Sequence, residues 1–153
     1  MNILVLGGDG FLGSHFVDQA IKLKHNITVF DKFKNCSSRN LEHLRDIIKF
    51  ESGDLNNRED LSRILDNKDI IYHFICSTNP NESWNDPFIE INQNLLSSLR
   101  LFDLAANKKI KKIVFISSGG TIYGNQNKAA NELTIPNPKS PYGITKLAIE
   151  NFL

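Results

Sequence analysis

Tyr142 and Lys146 stand four residues apart in Tyr142-Gly143-Ile144-Thr145-Lys146, directly after Ser140-Pro141. In a helix that spacing puts both side chains on one face. A free phenol has a pKa near ~10 and is a poor base at neutral pH, but an ammonium close by favours its phenolate. The pair therefore reads as a proton shuttle. A second group with chemical meaning is Gly7-Gly8-Asp9-Gly10-Phe11-Leu12-Gly13. Gly7 permits a tight turn, Gly10 lets backbone approach a pyrophosphate, and Gly13 lets a helix pack close to a strand. The N–H groups at the start of that helix then face the phosphates. Asp31 follows Gly13 by eighteen residues. A carboxylate there accepts hydrogen bonds from both ribose hydroxyls and repels a 2′-phosphate, which favours NAD over NADP; Lys32 beside it weakens that preference. Asp54, in Gly53-Asp54-Leu55, is placed to receive an adenine amino group or to serve as a turn or cap residue.

The elements that must position these residues follow from hydrophobic pattern. Apolar runs at Ile3–Leu6, Ile27–Phe30, Ile47–Glu51, Asp69–Ile75 and Ile113–Ser117 read as strands. They are continuous rather than alternating, as in strands buried on both faces. Helical patterns intervene at Leu12–Lys24, Leu41–Asp46, Arg58–Leu65 and Phe88–Asn107. The expected fold is α/β, a doubly wound parallel sheet of the Rossmann-like kind with strand order 3-2-1-4-5. Residues Ile135–Pro141 are punctuated by proline and form a loop, which leads into a last helix starting near Tyr142. That helix meets the end of the chain at Leu153 without a cap, as in a chain truncated before a substrate domain. Residues 1–153 are thus expected to be one dinucleotide-binding domain, with Met1 as a true start.

Bulk properties exclude several classes. The formal net charge of +1 gives no electrostatic footprint for nucleic acid or an anionic membrane. The tightest basic group, Lys108, Lys109, Lys111 and Lys112, reads as a solvated face at a helix C-terminus. Two isolated cysteines, Cys36 and Cys76, make neither a disulfide framework nor a metal site. Both are expected as reduced thiols, with Cys76 buried. No run has the apolar length of a membrane span and no signal peptide precedes the first strand, so the cytoplasm is the expected compartment.

The strand–glycine–helix opening, Asp31, Ser117-Ser118-Gly119-Gly120-Thr121-Ile122-Tyr123-Gly124 and the Tyr142–Lys146 pair occur together. As a set they resemble the extended short-chain dehydrogenase/reductases, the NAD-dependent epimerase/dehydratase family, and within it members like the UDP-glucose 4-epimerases. The resemblance runs from Met1 to Leu153 and corresponds to about the first half of a typical member. It implies that Gly7, Gly10, Phe11, Leu12 and Gly13 line the pyrophosphate, and that Asp31 binds the adenosine ribose beside the Lys32–Ser37 loop. It implies that Asp54 and Leu55 flank the adenine, that Ile75 and Cys76 run past the cofactor, and that Asn94 lies near it. Ser118 would orient the sugar hydroxyl, Tyr142 would move its proton, Lys146 would bind the nicotinamide ribose and tune Tyr142, and Thr121 would touch the sugar.

Three positions depart from the family pattern. Where members carry His-x-Ala-Ala, this chain has His73-Phe74-Ile75-Cys76, and Ile75 is bulkier than the usual small residue; His73 itself reads as a packed core residue. Counting forward from the fifth strand places the catalytic hydroxyl at Ser118, whereas counting back from Tyr123-Gly124 gives Gly119; an extra glycine in the turn reconciles the two at Ser118. Ser97 and Ser98 replace a common Gly-Thr.

The activity implied is 4-epimerisation of a UDP-hexose with NAD, by transient oxidation at C4, in a homodimeric parent whose isolated first half is inactive. The alternatives are a nucleotide-sugar dehydratase, decarboxylase or reductase, or a dinucleotide-binding module without turnover. Gly119-Gly120 after Ser118 counts against a 4,6-dehydratase, which carries an Asp-Glu pair there, and Asp31 counts against an NADPH-dependent reductase.

Overall fold

In a computed structural model, which describes residues 1–33, 38 and 40–153, the chain packs as two compact units. The first comprises Met1–Ile75 and Arg100–Ile116, the second Cys76–Leu99 and Ser117–Leu153. Cys36 and the Lys34–Ser37 part of the loop expected beside the ribose lie outside the described residues.

The first unit is built on β1 (Asn2–Leu6), β2 (Asn26–Asp31), β3 (Lys49–Ser52), β4 (Ile70–His73) and β5 (Lys112–Phe115). All pairings are parallel and the order is β3-β2-β1-β4-β5, as the sequence pattern predicts. Successive residues of a strand face opposite sides of the sheet, and β1 uses both sides. Ile3 and Val5 join Val17 and Ala20 of α1 (Phe11–Ala20) with Ile27, Val29 and Leu41. Leu4 and Leu6 join Leu61 and Ile64 of α2 (Arg58–Ile64) and Leu101 and Ala105 of α4 (Leu96–Asn107). This is why the strand is apolar at every position from Ile3 to Leu6. Full burial of each such side chain stabilises the fold by roughly 1.5–3 kcal/mol.

Several boundaries differ from the pattern-based ones. The expected helix over Leu41–Asp46 is a single 3-10 turn at Glu42–Leu44. Ile47 and Ile48 donate back to the Leu44 carbonyl, so β3 begins at Lys49 and Ile47 stays exposed. The sheet ladder of β4 covers Ile70–His73 rather than Asp69–Ile75, and β5 covers Lys112–Phe115 rather than Ile113–Ser117. His73 is buried, edge-on to Phe115 with ring centroids 5.4 Å apart. In the basic group, Lys111 pairs with Asp69 at 2.7 Å and Lys108 pairs with Asp66.

In the second unit, the helix expected from Phe88 to Asn107 is interrupted. Asp86 caps α3 (Pro87–Ile89), a π-helical segment follows at Glu90–Leu95, and α4 resumes α geometry at Leu96. α5 (Gly119–Ile122) and α6 (Pro141–Phe152) complete the unit. Among the described residues no helix is long and apolar enough to cross a membrane, and no group of three or more His, Cys, Asp or Glu could hold a metal.

Candidate functional site

The glycine turn belongs to the first unit and is made of backbone. Gly7 has φ +74°, a left-handed conformation that a side chain disfavours, and its N–H donates to the Phe30 carbonyl at 2.8 Å. A Cβ on Gly7 would also lie 2.9 Å from the Ile75 nitrogen. The departure from the family pattern at Ile75 is therefore packed against this turn, and its side chain reaches the core around Leu4 and Phe30. Gly10 is the N-cap of α1 and supplies no side-chain cap, so N–H groups of the first turn have no side-chain acceptor there. At Gly13 a Cβ would stand 2.2 Å from the Gly7 carbonyl oxygen. Phe11 and Leu12, between these glycines, are exposed. A Cβ at Gly7 or Gly13 would collide with neighbouring backbone, so glycine keeps this turn tight against the start of α1, with helix N–H donors beside it. They fit a diphosphate.

Asp31 ends β2 and closes on the same turn. Its Oδ2 accepts from the Asp9 N–H at 3.0 Å and its Oδ1 from the Lys32 N–H at 2.8 Å. Burial pushes its carboxyl above the ordinary value; the two N–H donors oppose that shift, and Asp9 adds to it. Each oxygen retains acceptor capacity for a hydroxyl. Lys32 does not stand beside Asp31 as an independent charge, because its Nζ pairs with Asp54 Oδ2 at 2.8 Å. Asp54 is not the cap of α2. That role falls to Asn57, whose side chain accepts from Glu59 and Asp60 N–H groups, while Asp54 Oδ1 accepts from the Asn56 N–H at 2.9 Å. Burial raises the Asp54 carboxyl, but hydrogen bonds from Lys32 and Asn56 and the Lys32 charge outweigh it, so the net shift is downward. Leu55 is buried in the core against α2.

The second unit gathers Ser118, Tyr142, Lys146, Cys76 and Asn94. Ser140 caps α6, accepting from the Gly143 N–H at 3.1 Å, and Pro141 occupies the first turn. Gly143 then matters for closeness, since a Cβ there would lie 2.9 Å from the Thr121 carbonyl oxygen. That contact seats α6 on α5 and brings the Ser118 hydroxyl into hydrogen bonding with Tyr142. Thr121 turns its own hydroxyl to the Ser118 carbonyl at 3.3 Å. Of the two positions left by counting, Ser118 is the one with a side chain, and space around Gly119 and Gly120 is open.

Lys146 is 5% exposed, and its Nζ lies 5.5 Å from the centroid of the Tyr142 ring. Burial raises the Tyr142 phenol first, Cys76 and Glu90 add to the rise, and the Ser118 hydrogen bond opposes it. Lys146 is pushed down by burial and held up by Cys76 and Glu90. Cys76 is partly exposed rather than buried, because it lies beyond the end of β4 in a turn where its Sγ donates to the Thr78 carbonyl at 3.4 Å.

Asn94 is buried and fully engaged. Its Oδ1 accepts from the Ser77 N–H at 2.9 Å, and its Nδ2 donates to Glu90 at 3.0 Å. Glu90 and Thr78 were not among the residues singled out from sequence. Glu90 is 1% exposed, and Thr78 donates its hydroxyl to the same carboxylate. The available signal was an acid set in the apolar stretch Phe88-Ile89-Glu90-Ile91, four residues before Asn94.

The family model for the NAD-dependent epimerases/dehydratases matches residues 3–153. The chain belongs to this family. It is 36% identical over 160 residues to a UDP-glucose 4-epimerase of Neisseria meningitidis serogroup A, covering 99% of this chain and 47% of that protein. A crystal structure of the Thermotoga maritima UDP-glucose 4-epimerase with UDP-glucose superposes with a TM-score of 0.87 at 35% identity, over 99% of this chain and 50% of that one. The Thermus thermophilus UDP-glucose 4-epimerase in complex with NAD gives 0.88 at 30% identity, over 99% and 49%. The chain thus spans about half the length of these epimerases. The shared fold extends over the strand–glycine–helix opening and the Tyr142 helix alike.

Proposed function

We propose that this chain is the NAD-binding and proton-transfer portion of a nucleotide-sugar epimerase acting at C4 of a UDP-hexose. The observation that carries the reading is the convergence of Ser118, Tyr142 and Lys146 in one unit of a chain that also holds the glycine cradle and Asp31. Gly7–Gly13 and the first turn of α1 would hold the diphosphate of NAD, Asp31 its adenosine ribose, Lys146 its nicotinamide ribose, and Asp54 and Leu55 would flank the adenine. When bound, NAD supplies the hydride acceptor and donor for the sugar carbon.

The residues of the chain do the proton work. Ser118 donates to or accepts from the same hydroxyl that Tyr142 serves and keeps it oriented. Tyr142 Oη, as the phenolate favoured by the Lys146 charge together with a bound nicotinamide ring, would take the proton of the 4-hydroxyl as the carbon is oxidised and return it when the carbon is reduced on its other face. The proton balance over the cycle is zero. Lys146 contributes positive charge behind the phenol, and Thr121 borders the sugar. Gly119 and Gly120 leave no carboxyl group after Ser118 for proton transfer at C5 or C6, which supports epimerisation over 4,6-dehydration.

The parent is proposed to be a cytoplasmic homodimer; Phe88, Ile91 and Leu96, with Ile144 and Phe152 on α6, are exposed apolar residues suited to a partner. A second reading, a dinucleotide-binding module without turnover, is favoured for these 153 residues alone by their coverage of half of each relative. Incubation of the chain, and of a version extended by the remaining half of a relative's length, with UDP-glucose and UDP-galactose separates these readings by NMR. The extended protein is expected to interconvert the two sugars and the 153 residues to leave them unchanged. A 4-keto-6-deoxy product overturns the epimerase assignment.

A further inference from the structure

Asp9 stands between Gly8 and Gly10, inside the turn that fits a diphosphate. A carboxylate there repels a second negative group, so phosphate binding does not account for it. Its hydrogen bonds lead elsewhere in the first unit. The Asp9 N–H donates to Asp31 Oδ2 at 3.0 Å, which ties the end of β2 to the turn. Asp9 Oδ1 accepts from the Asn40 N–H at 3.0 Å and from the Ser38 hydroxyl. The Asp9 carbonyl accepts from Asn40 Nδ2 at 2.6 Å. Ser38 Oγ in turn accepts from the Leu41 N–H at 2.8 Å, and Leu41 is fully buried in the core with Val29. The turn is itself seated on β2, where a Cβ on Gly8 would lie 2.7 Å from Val29 Cγ1. One aspartate thus joins the glycine turn, the end of β2 and residues that follow β2 in the chain.

We propose that Asp9 is a clamp that fastens Ser38 and Asn40 onto the glycine turn, and thereby a positioning residue for the adenosine half of a bound dinucleotide. Holding a connecting stretch in one conformation costs backbone entropy. Hydrogen bonds to an ionised acceptor are stronger than neutral ones, so a carboxylate is suited to hold it. The same donors partly offset the Asp9 charge, which lessens its repulsion of an anion at the start of α1. The glycines set the shape of the turn; Asp9 sets what is held beside it. The clamp stands on its hydrogen bonds, and its consequence for the cofactor rests on the NAD site proposed above.

Two readouts on the whole chain separate clamp from cofactor. Amide hydrogen exchange followed by NMR reads the clamp at the Asn40 and Leu41 N–H groups. Calorimetry reads the affinity for NAD and for AMP, which carries the adenosine ribose alone. Asp9→Ala is expected to speed exchange at Asn40 by about tenfold or more and to weaken NAD and AMP alike by roughly tenfold. Asp9→Asn keeps an acceptor oxygen for Ser38 and Asn40, and is expected to bring both readouts back to within about threefold of the native chain. A folded Asp9→Ala with native exchange at Asn40 overturns the clamp. Faster exchange with native affinity for both nucleotides overturns the positioning role. A native chain that binds neither nucleotide overturns the NAD site and the positioning role with it, while exchange still decides the clamp. Where Asp9→Ala does not fold, Ser38→Ala removes one donor to the carboxylate and is expected to weaken NAD by about threefold; an unchanged affinity overturns the proposal equally.

Discussion

The turn from Gly7 to Gly13 and the cluster around Tyr142 use different materials. The turn works by leaving side chains out: one positive φ at Gly7, a helix start at Gly10 without a side-chain cap, and a 2.2 Å approach at Gly13 that only a hydrogen can occupy. The cluster works by bringing side chains together from four stretches of chain, at Cys76–Thr78, Glu90–Asn94, Ser118 and Tyr142–Lys146. A backbone site is specified by shape and offers fixed partial charges from N–H groups. A side-chain site is specified by protonation states, which depend on burial and on partners far away in sequence. The first depends above all on the absence of side chains, the second above all on which of its groups hold protons.

The largest effect should come from the proton. Tyr142→Phe keeps the ring and its packing, and in a catalytically competent extended protein it is expected to lower kcat by about 10²–10⁴-fold, with an unchanged circular dichroism spectrum. A loss below tenfold would remove Tyr142 from the relay. Next is the methyl group. Gly13→Ala must displace the Gly7 carbonyl, and such overpacking costs about 1–3 kcal/mol. Thermal melting and NAD titration of the chain should both register it, and a variant that melts like the native chain would refute the shape-only account of the turn.

Asp31→Asn sharpens the comparison, since it changes charge in a site built of backbone. NAD affinity, followed by calorimetry, is expected to fall by roughly tenfold as charged hydrogen bonds to the ribose are lost, and NADP to gain relative to NAD.

A smaller effect concerns acid stability in the first unit. The Glu51 carboxyl is held below its ordinary value, first by the Lys49 hydrogen bond at 2.7 Å, against burial, and then by the charges of Lys49 and Arg63. A depressed carboxylate contributes stability above its unfolded pKa and loses it as pH falls through the folded one. These partners are solvent-screened, so the contribution is at most about 1 kcal/mol. Glu51→Gln should flatten the fall of the melting temperature below neutral pH; an unchanged acid slope counts against it. The smallest effect is expected at Gly120, where a Cβ meets nothing within 4 Å. Gly120→Ala should alter stability by less than about 0.5 kcal/mol, and a larger loss would show that α5 needs more room than the folded chain indicates.

Much of the fold was legible because its signals are local. Ile3–Leu6 is apolar at every position, and a strand covered on both faces requires that. The 3-2-1-4-5 order followed from right-handed crossovers between such strands. Boundaries were less legible where one hydrogen bond decides them: Ile47 looks like strand, yet the bonds from Ile47 and Ile48 to the Leu44 carbonyl keep β3 from starting before Lys49. The break in the helix from Phe88 to Asn107 had no local signal, since no proline or glycine interrupts it.

For the candidate site, the sequence by itself determined the glycine turn, the position of Asp31 at the end of β2, and the helical spacing of Tyr142 and Lys146. Each depends on residues a few positions apart or on the register of one strand. Only the tertiary structure decided that Lys32 pairs with Asp54, that Ser118 meets Tyr142, that Cys76 is partly exposed, and that Glu90 lies inside with Thr78 and Asn94. The physical reason is the range of the interactions. Spacing sets which face a side chain takes, but whether a buried phenol or ammonium keeps its proton depends on desolvation and on charges supplied by segments more than fifty residues away.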